Sequence, residues 1–146
     1  MTARDSKLET RAMVGTWRLV SMYAVVTETG TRAELHGDGR QGYAIIEPGG
    51  RMMAMLTAKD REAATSDAGL ADLFRSMTAY TGKWRVEGDL FVTTVDMAWD
   101  PNWIGTEQAR FFKIDGDRNV IRSAPIAHPS FPGSKIVVHA EWQRES

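Results

Sequence analysis

Short glycine-bearing turns recur along the chain, each set between runs in which apolar residues alternate with others, and no feature constrains the fold more. "IIEPGGRMM" (45–53), "RVEGDLFV" (85–92) and "KIDGDRNV" (113–120) each read as two strands joined by a turn. Tight turns of this composition connect antiparallel neighbours. With "GTWRLVSMY" (15–23) ahead of them and "SKIVVHAEWQRE" (134–145) behind, the chain offers about eight strands, with a turn signal roughly every ten residues. That spacing predicts an all-β antiparallel barrel or sandwich.

Two segments break the pattern. "SKLETRAMV" (6–14) reads as a short helical turn, with Ser6 as N-cap and Glu9 three positions later closing a capping box. "TSDAGLADLFRSMTAY" (65–80) is the one amphipathic helix: Leu70, Leu73, Phe74 and Met77 share a face that must lie on something apolar. The polar stretch 27–42 and the three-proline segment 124–133 read as loops. No linker or repeat divides residues 1–146, which are expected to form a single domain.

Composition then removes function classes. Charged residues make up 25% and the formal net charge is −1, with no basic cluster, so neither nucleic acid nor an anionic membrane is an expected partner. Cysteine is absent, which excludes thiol catalysis and thiolate metal sites and suits a reducing compartment. The first residues lack the apolar core of a leader, and no apolar run reaches spanning length, so a cytoplasmic protein is the expectation. The three histidines, His36, His128 and His139, have no ligand-like spacing, and no metal or cofactor is expected. The serine-elbow and phosphate-loop patterns are absent too.

Charges orient the strands. Arg18 marks the outside of the first, placing Trp17, Leu19 and Tyr23 inside. Lys83, Arg85 and Glu87 mark the outside of the next, placing Trp84 and Val86 inside; a three-residue turn through Glu87-Gly88-Asp89 then carries Thr94 and Asp96 inward. Glu107 and Lys113 leave Gln108, Arg110, Phe112 and Ile114 inside, and His139, Glu141 and Gln143 leave Ile136, Val138, Ala140 and Trp142 inside. A slip of one residue would invert any of these assignments. The strands within 43–56 are apolar on both faces and take no orientation, so their place on the cavity or on a homodimer surface stays open.

Gly15-Thr16-Trp17 at the head of the first strand, the closing "EWQRES" (141–146), "YTGKW" (80–84), "PNWIGTEQAR" (101–110) and "IDGDR" (114–118) together carry a resemblance. In order and over nearly the whole chain they resemble the lipocalins, and more specifically the bacterial lipocalin-like domain family of the calycin group. The resemblance implies a lipocalin-like antiparallel β-barrel with one amphipathic helix and a short N-terminal helical turn. It also implies that Trp17 plugs one end of the barrel, Arg144 stacks across it and Gly15 allows the close approach. The secretion signal and disulfides usual in transported lipocalins are missing here.

An eight-stranded barrel is either filled by its own side chains or holds one small ligand. The candidate ligand-binding residues are Tyr23, Trp84, Thr94, Asp96, Gln108, Arg110 and Phe112. The ligand class is a small hydrophobic or amphipathic molecule, with an acid held by Arg110 in two-point fashion. An internal Arg110–Asp96 ion pair is the structural alternative. An isomerase or cyclase using Asp96 or Tyr23 as acid–base group, and a filled structural barrel, are the competing functions. Trp99 and Trp103 either form a lid or pack their loop down, while Met52, Met53 and Met55 read as core filler, with an adaptable pocket wall as the alternative.

Overall fold

The turns are tighter than the sequence reading allowed. In the computed structural model, which describes residues 6–33, 39–127 and 131–146 (backbone alone for 6–9), Glu87 pairs with Leu90 and Asp115 with Arg118. Each hairpin therefore turns on two residues led by a glycine, Gly88 or Gly116, at φ +60°. A glycine at the first central position is what a type II′ hairpin turn demands.

Helix α1 spans Ser6–Met13; the side chains of Ser6 and Glu9 lie outside the described residues. Strand β1 (Gly15–Val26) follows, then the two-residue β2 (Arg32–Ala33), β3 (Arg40–Ile46) and β4 (Arg51–Ala58). Helix α2 (Asp67–Arg75) leads into β5 (Met77–Glu87), β6 (Leu90–Ala98), β7 (Glu107–Asp115) and β8 (Arg118–Arg122). The two-residue β9 (Ile126–Ala127), inside the segment read as loop, and β10 (Lys135–Arg144) complete the order. Neighbours pair antiparallel as β1-β3-β4-β5-β6-β7-β8-β10, and β10 pairs back onto β1. Eight strands thus close into a barrel with no free edge among them, and β2 and β9 extend one rim. Among the described residues no helix is long and apolar enough to cross a membrane.

One end is sealed. Trp17 is 1% exposed and donates its indole N–H to the Met13 carbonyl at 2.9 Å, fastening α1 beneath the barrel. The Arg144 guanidinium lies 4.2 Å from the Trp17 ring centre and donates to the carbonyls of Ala12 and Val14. Gly15 sits at φ +144°, and a Cβ there would come within 2.8 Å of the Arg144 side chain and 2.7 Å of the Ser146 carbonyl. Only glycine fits at that crossing. The arrangement implied by the resemblance is therefore present.

Two irregularities reverse expected faces. In β1 the pairing with β10 skips Val20 between Leu19 and Ser21. A bulge of this kind inverts the alternation beyond it. Met22 and Ala24 therefore turn in, while Tyr23 turns out and stacks on His139 at 5.1 Å. In β6 the two-residue turn sets Trp84 opposite Thr93 rather than Val92. Phe91, Thr93 and Val95 consequently face inward, and Thr94 and Asp96 face solvent. Asp96 is itself skipped in the pairing of Gly82–Thr81 with Val95–Met97.

The hairpin that could not be oriented now has a direction. Ala44, Ile46, Met52, Ala54 and Leu56 are buried, whereas Tyr43, Ile45, Met53 and Met55 are about half exposed on the outer face. Of the methionines read as core, only Met52 is in it. Helix α2 also departs from expectation: it ends at Arg75, Met77 begins a strand, and no residue of the helix is buried. Leu70 and Phe74 remain about half exposed. Arg61 bonds to the Leu73 carbonyl at 2.7 Å and to the Ser76 hydroxyl at 3.0 Å, holding the helix end in place of a packed apolar face.

Candidate functional site

The barrel encloses a cavity of about 320 Å³ between the Trp17 seal and the opposite rim. That volume is near the lower end for small-molecule sites. Its floor is Trp17, Met13 and Trp142, and its walls include Phe91, Leu56, Ala54 and Ala140. Ala54 and Leu56 come inward because β4 alternates strictly there, and the small Ala44, Ala54 and Ala140 leave the space that larger side chains would fill.

Toward the rim the lining turns polar. Gln108 and Arg110 project inward from β7, opposite Thr93 and Phe91 of β6. Arg110 donates to its neighbour's carbonyl at Ala109 (2.9 Å) and to Gln108 Oε1 (3.3 Å), both neutral acceptors. Gln108 in turn donates to the Thr106 hydroxyl at 2.9 Å, which fixes which end of the amide faces Arg110. No Asp or Glu is among the described residues lining this cavity. Arg110 is part-buried, and no acidic side chain of this lining answers its charge.

Tyr80 lines the same cavity from β5. Burial pushes its hydroxyl pKa up, and the Arg110 charge opposes that shift only in part, so the phenol stays a neutral donor. Its ring lies 5.2 Å from Trp103, which packs 5.0 Å from Trp99, which in turn lies 6.1 Å from Phe74 of α2. Trp103 lines the cavity while Trp99 anchors the loop, its indole N–H reaching the Phe74 carbonyl at 3.3 Å. Of the two candidate lid residues, one faces the chamber and the other holds it there.

Arg40, at the start of β3, is a second guanidinium on the cavity. Desolvation lowers its pKa, and its Nε has no hydrogen-bond partner among the described residues. Nothing in the polar, glycine-rich stretch around it marked it as inward. Tyr80 was hidden as well, because it sits at the end of the segment read as helix.

Of the seven candidates named from sequence, Gln108 and Arg110 line the cavity. Phe112 faces inward but lies in the core, and Trp84 packs against Phe91 at 5.8 Å with its N–H on the Glu47 carbonyl. Tyr23, Thr94 and Asp96 are on the outside, for the bulge and turn-length reasons given above. Asp96 forms a two-point ion pair with Arg51 at 2.8 and 3.1 Å, and that hydrogen bonding holds its carboxyl below the usual range. The alternative of an internal Arg110–Asp96 pair is not realised, since Asp96 pairs with Arg51. Neither proposed acid–base group, Asp96 or Tyr23, reaches the chamber.

His139 lies on the outer face against Tyr23, and His36 and His128 fall outside the described residues. No group of three metal-ligating side chains occurs among the described residues.

No curated protein matches the chain. The family model described as "Lipocalin-like domain" matches residues 14–144, which takes in the Gly15-Thr16-Trp17 seal, the whole barrel and Arg144. The chain belongs to the lipocalin-like domain family.

Proposed function

We propose that the protein binds a small, largely apolar organic acid inside the barrel, with the acid group on Arg110. One observation carries the reading: Arg110 lines a mostly apolar chamber whose described lining holds no acidic residue, and it hydrogen-bonds to the neutral oxygens of Ala109 and Gln108. Arg110 supplies the paired donors that match a carboxylate, and the Tyr80 hydroxyl is a further donor on the same cavity. The chamber's aromatic and aliphatic walls suit an apolar body. A filled structural barrel is disfavoured by the open volume of about 320 Å³. The isomerase or cyclase reading has lost both residues it relied on.

The outer stripe of Tyr43, Ile45, Met53 and Met55 is the face on which a homodimer would close.

The test is a titration with dodecanoic acid followed by tryptophan fluorescence, since Trp17, Trp103 and Trp142 all line the chamber. Saturable binding to the wild type, weakened by about 2 kcal/mol in Arg110→Leu, is the expected result. Dodecanol, which has no charge to lose, should bind both proteins alike. Equal affinity of the acid for both proteins, or no saturable response, would overturn the reading.

A further inference from the structure

The cavity has a second polar end that the acid-binding reading leaves idle. Asn119, the second residue of β8, is 5% exposed and lines the chamber near its sealed floor, paired across the sheet with Trp142 and with Ile114. Its amide N–H₂ donates to the Met13 sulfur at 3.7 Å. That contact orients the side chain, because the flipped amide would set oxygen against sulfur. The Oδ1 atom is then left buried with no hydrogen-bond partner among the described residues. A buried amide oxygen without a donor is unfavourable, and such atoms are uncommon in folded proteins.

Strand geometry gives its separation from Arg110. Asn119 lies opposite Ile114, four residues along β7 from Arg110, or about 13 Å at the strand rise. Ile121, Ala140, Ala54 and Phe91 line the space between, and all are apolar. The chamber is therefore cationic toward one end, apolar in the middle, and a bare acceptor at the other.

We propose that the ligand is bifunctional: an acid whose far end carries a hydrogen-bond donor, a hydroxyl in the simplest case, given to Asn119 Oδ1. This rests on the acid-binding reading and narrows it from apolar acids in general to hydroxy acids of medium length. The ligand enters tail first, its hydroxyl reaching the floor beside Met13 while its carboxylate stays at Arg110. A methyl-ended acid would fill the same space and leave the Asn119 oxygen unanswered. A site built around a buried polar group discriminates against the analogue that cannot pair with it.

Three probes test this by fluorescence titration on the intact protein: dodecanoic acid, ω-hydroxydodecanoic acid and ω-methoxydodecanoic acid. The wild type should bind the hydroxy acid about tenfold more tightly than the methyl-ended acid. The methoxy acid, which accepts but cannot donate, should show no such gain. In Asn119→Leu the preference should vanish or reverse while dodecanoic acid still binds. Should that variant fail to fold, the ordering of the three probes on the wild type decides alone. Equal binding of all three acids, as a resident water on Asn119 would produce, overturns this proposal and leaves acid binding intact. Binding of none of them overturns both. A hydroxy-acid preference that persists in Asn119→Leu would place the donor's partner elsewhere and also overturn it.

Discussion

Replacing Arg144 with alanine should cost the protein about 3 kcal/mol. The side chain is 21% exposed, and it does three things at once. It stacks 4.2 Å from the buried Trp17 ring, donates to the Ala12 and Val14 carbonyls, and pairs with Asp117 at 3.2 Å. The stack contributes roughly 1–2 kcal/mol. The charged donations to backbone carbonyls contribute about 1.5–3 kcal/mol each where water is excluded. Water can reach the vacated carbonyls in alanine's absence of bulk, so most of that second contribution is recovered. The Asp117 pair is exposed on its acidic side and adds little.

For a chain of 146 residues a loss of this size lowers Tm by roughly 10 °C. Thermal melts by circular dichroism and urea denaturation by tryptophan fluorescence would measure it. Arg144→Lys keeps the charge but not the planar stack or the forked donors, and should fall between the two. Repeating Arg144→Ala in a Trp17→Phe background separates the stack from the carbonyl bonds. A change below about 1 kcal/mol in Arg144→Ala would refute the sealing role.

Other substitutions follow from the faces of the strands. Asp96→Asn should leave binding of dodecanoic acid unchanged, because Asp96 is outside and paired with Arg51; a marked loss of affinity would put the carboxylate back in the chamber. Because its folded pKa is lowered, the Asp96–Arg51 pair favours folding above the ordinary carboxylate range and loses that contribution as pH falls through the lowered value. Urea midpoints across the acid range should show that dependence in the wild type and less of it in Asp96→Asn. His139 is shifted down by desolvation and then by Arg122 and Arg32, so the folded state prefers the neutral ring. Its contribution is present above about pH 6.5 and declines as pH falls below that toward the lowered folded value. Proton NMR of His139 should titrate below the ordinary imidazole value; a normal or raised value would contradict the arrangement.

How much of this was legible beforehand varied from strand to strand, and the reason is local. In β7 Glu107 and Lys113, and in β10 His139, Glu141 and Gln143, mark the outward face, so the inward faces, Arg110 included, could be read directly. In β6 no charge lies between Leu90 and Thr94, and its face was inferred across a turn whose length was taken one residue too long. A single residue there moved both Thr94 and Asp96 to the wrong side. In β1 no composition signal distinguishes a bulge at Val20, and Tyr23 was misplaced by it. Both faces of β3 and β4 are apolar, so only the closed sheet could say that Met53 and Met55 point out.

Helix α2 shows the opposite failure. Its apolar periodicity was real, but the expectation of burial assumed a surface beneath it. The chain instead uses Phe74 to brace Trp99 and, through it, Trp103 at the cavity. Arg40 and Asn119 were not legible at all, since a lone arginine after a glycine-rich stretch and an asparagine beside a turn both have ordinary readings. Only the barrel's closure brings them to the same chamber.

The central claim is that Arg110 answers an acid group inside the barrel, and carbon NMR of carboxyl-labelled dodecanoic acid bound to the protein tests it most directly. An adjacent guanidinium favours the ionised form, so the bound carboxyl should titrate below its value in free solution, and Arg110→Leu should abolish that depression. A bound carboxyl that titrates alike in both proteins, or above its free value in the wild type, would contradict the account.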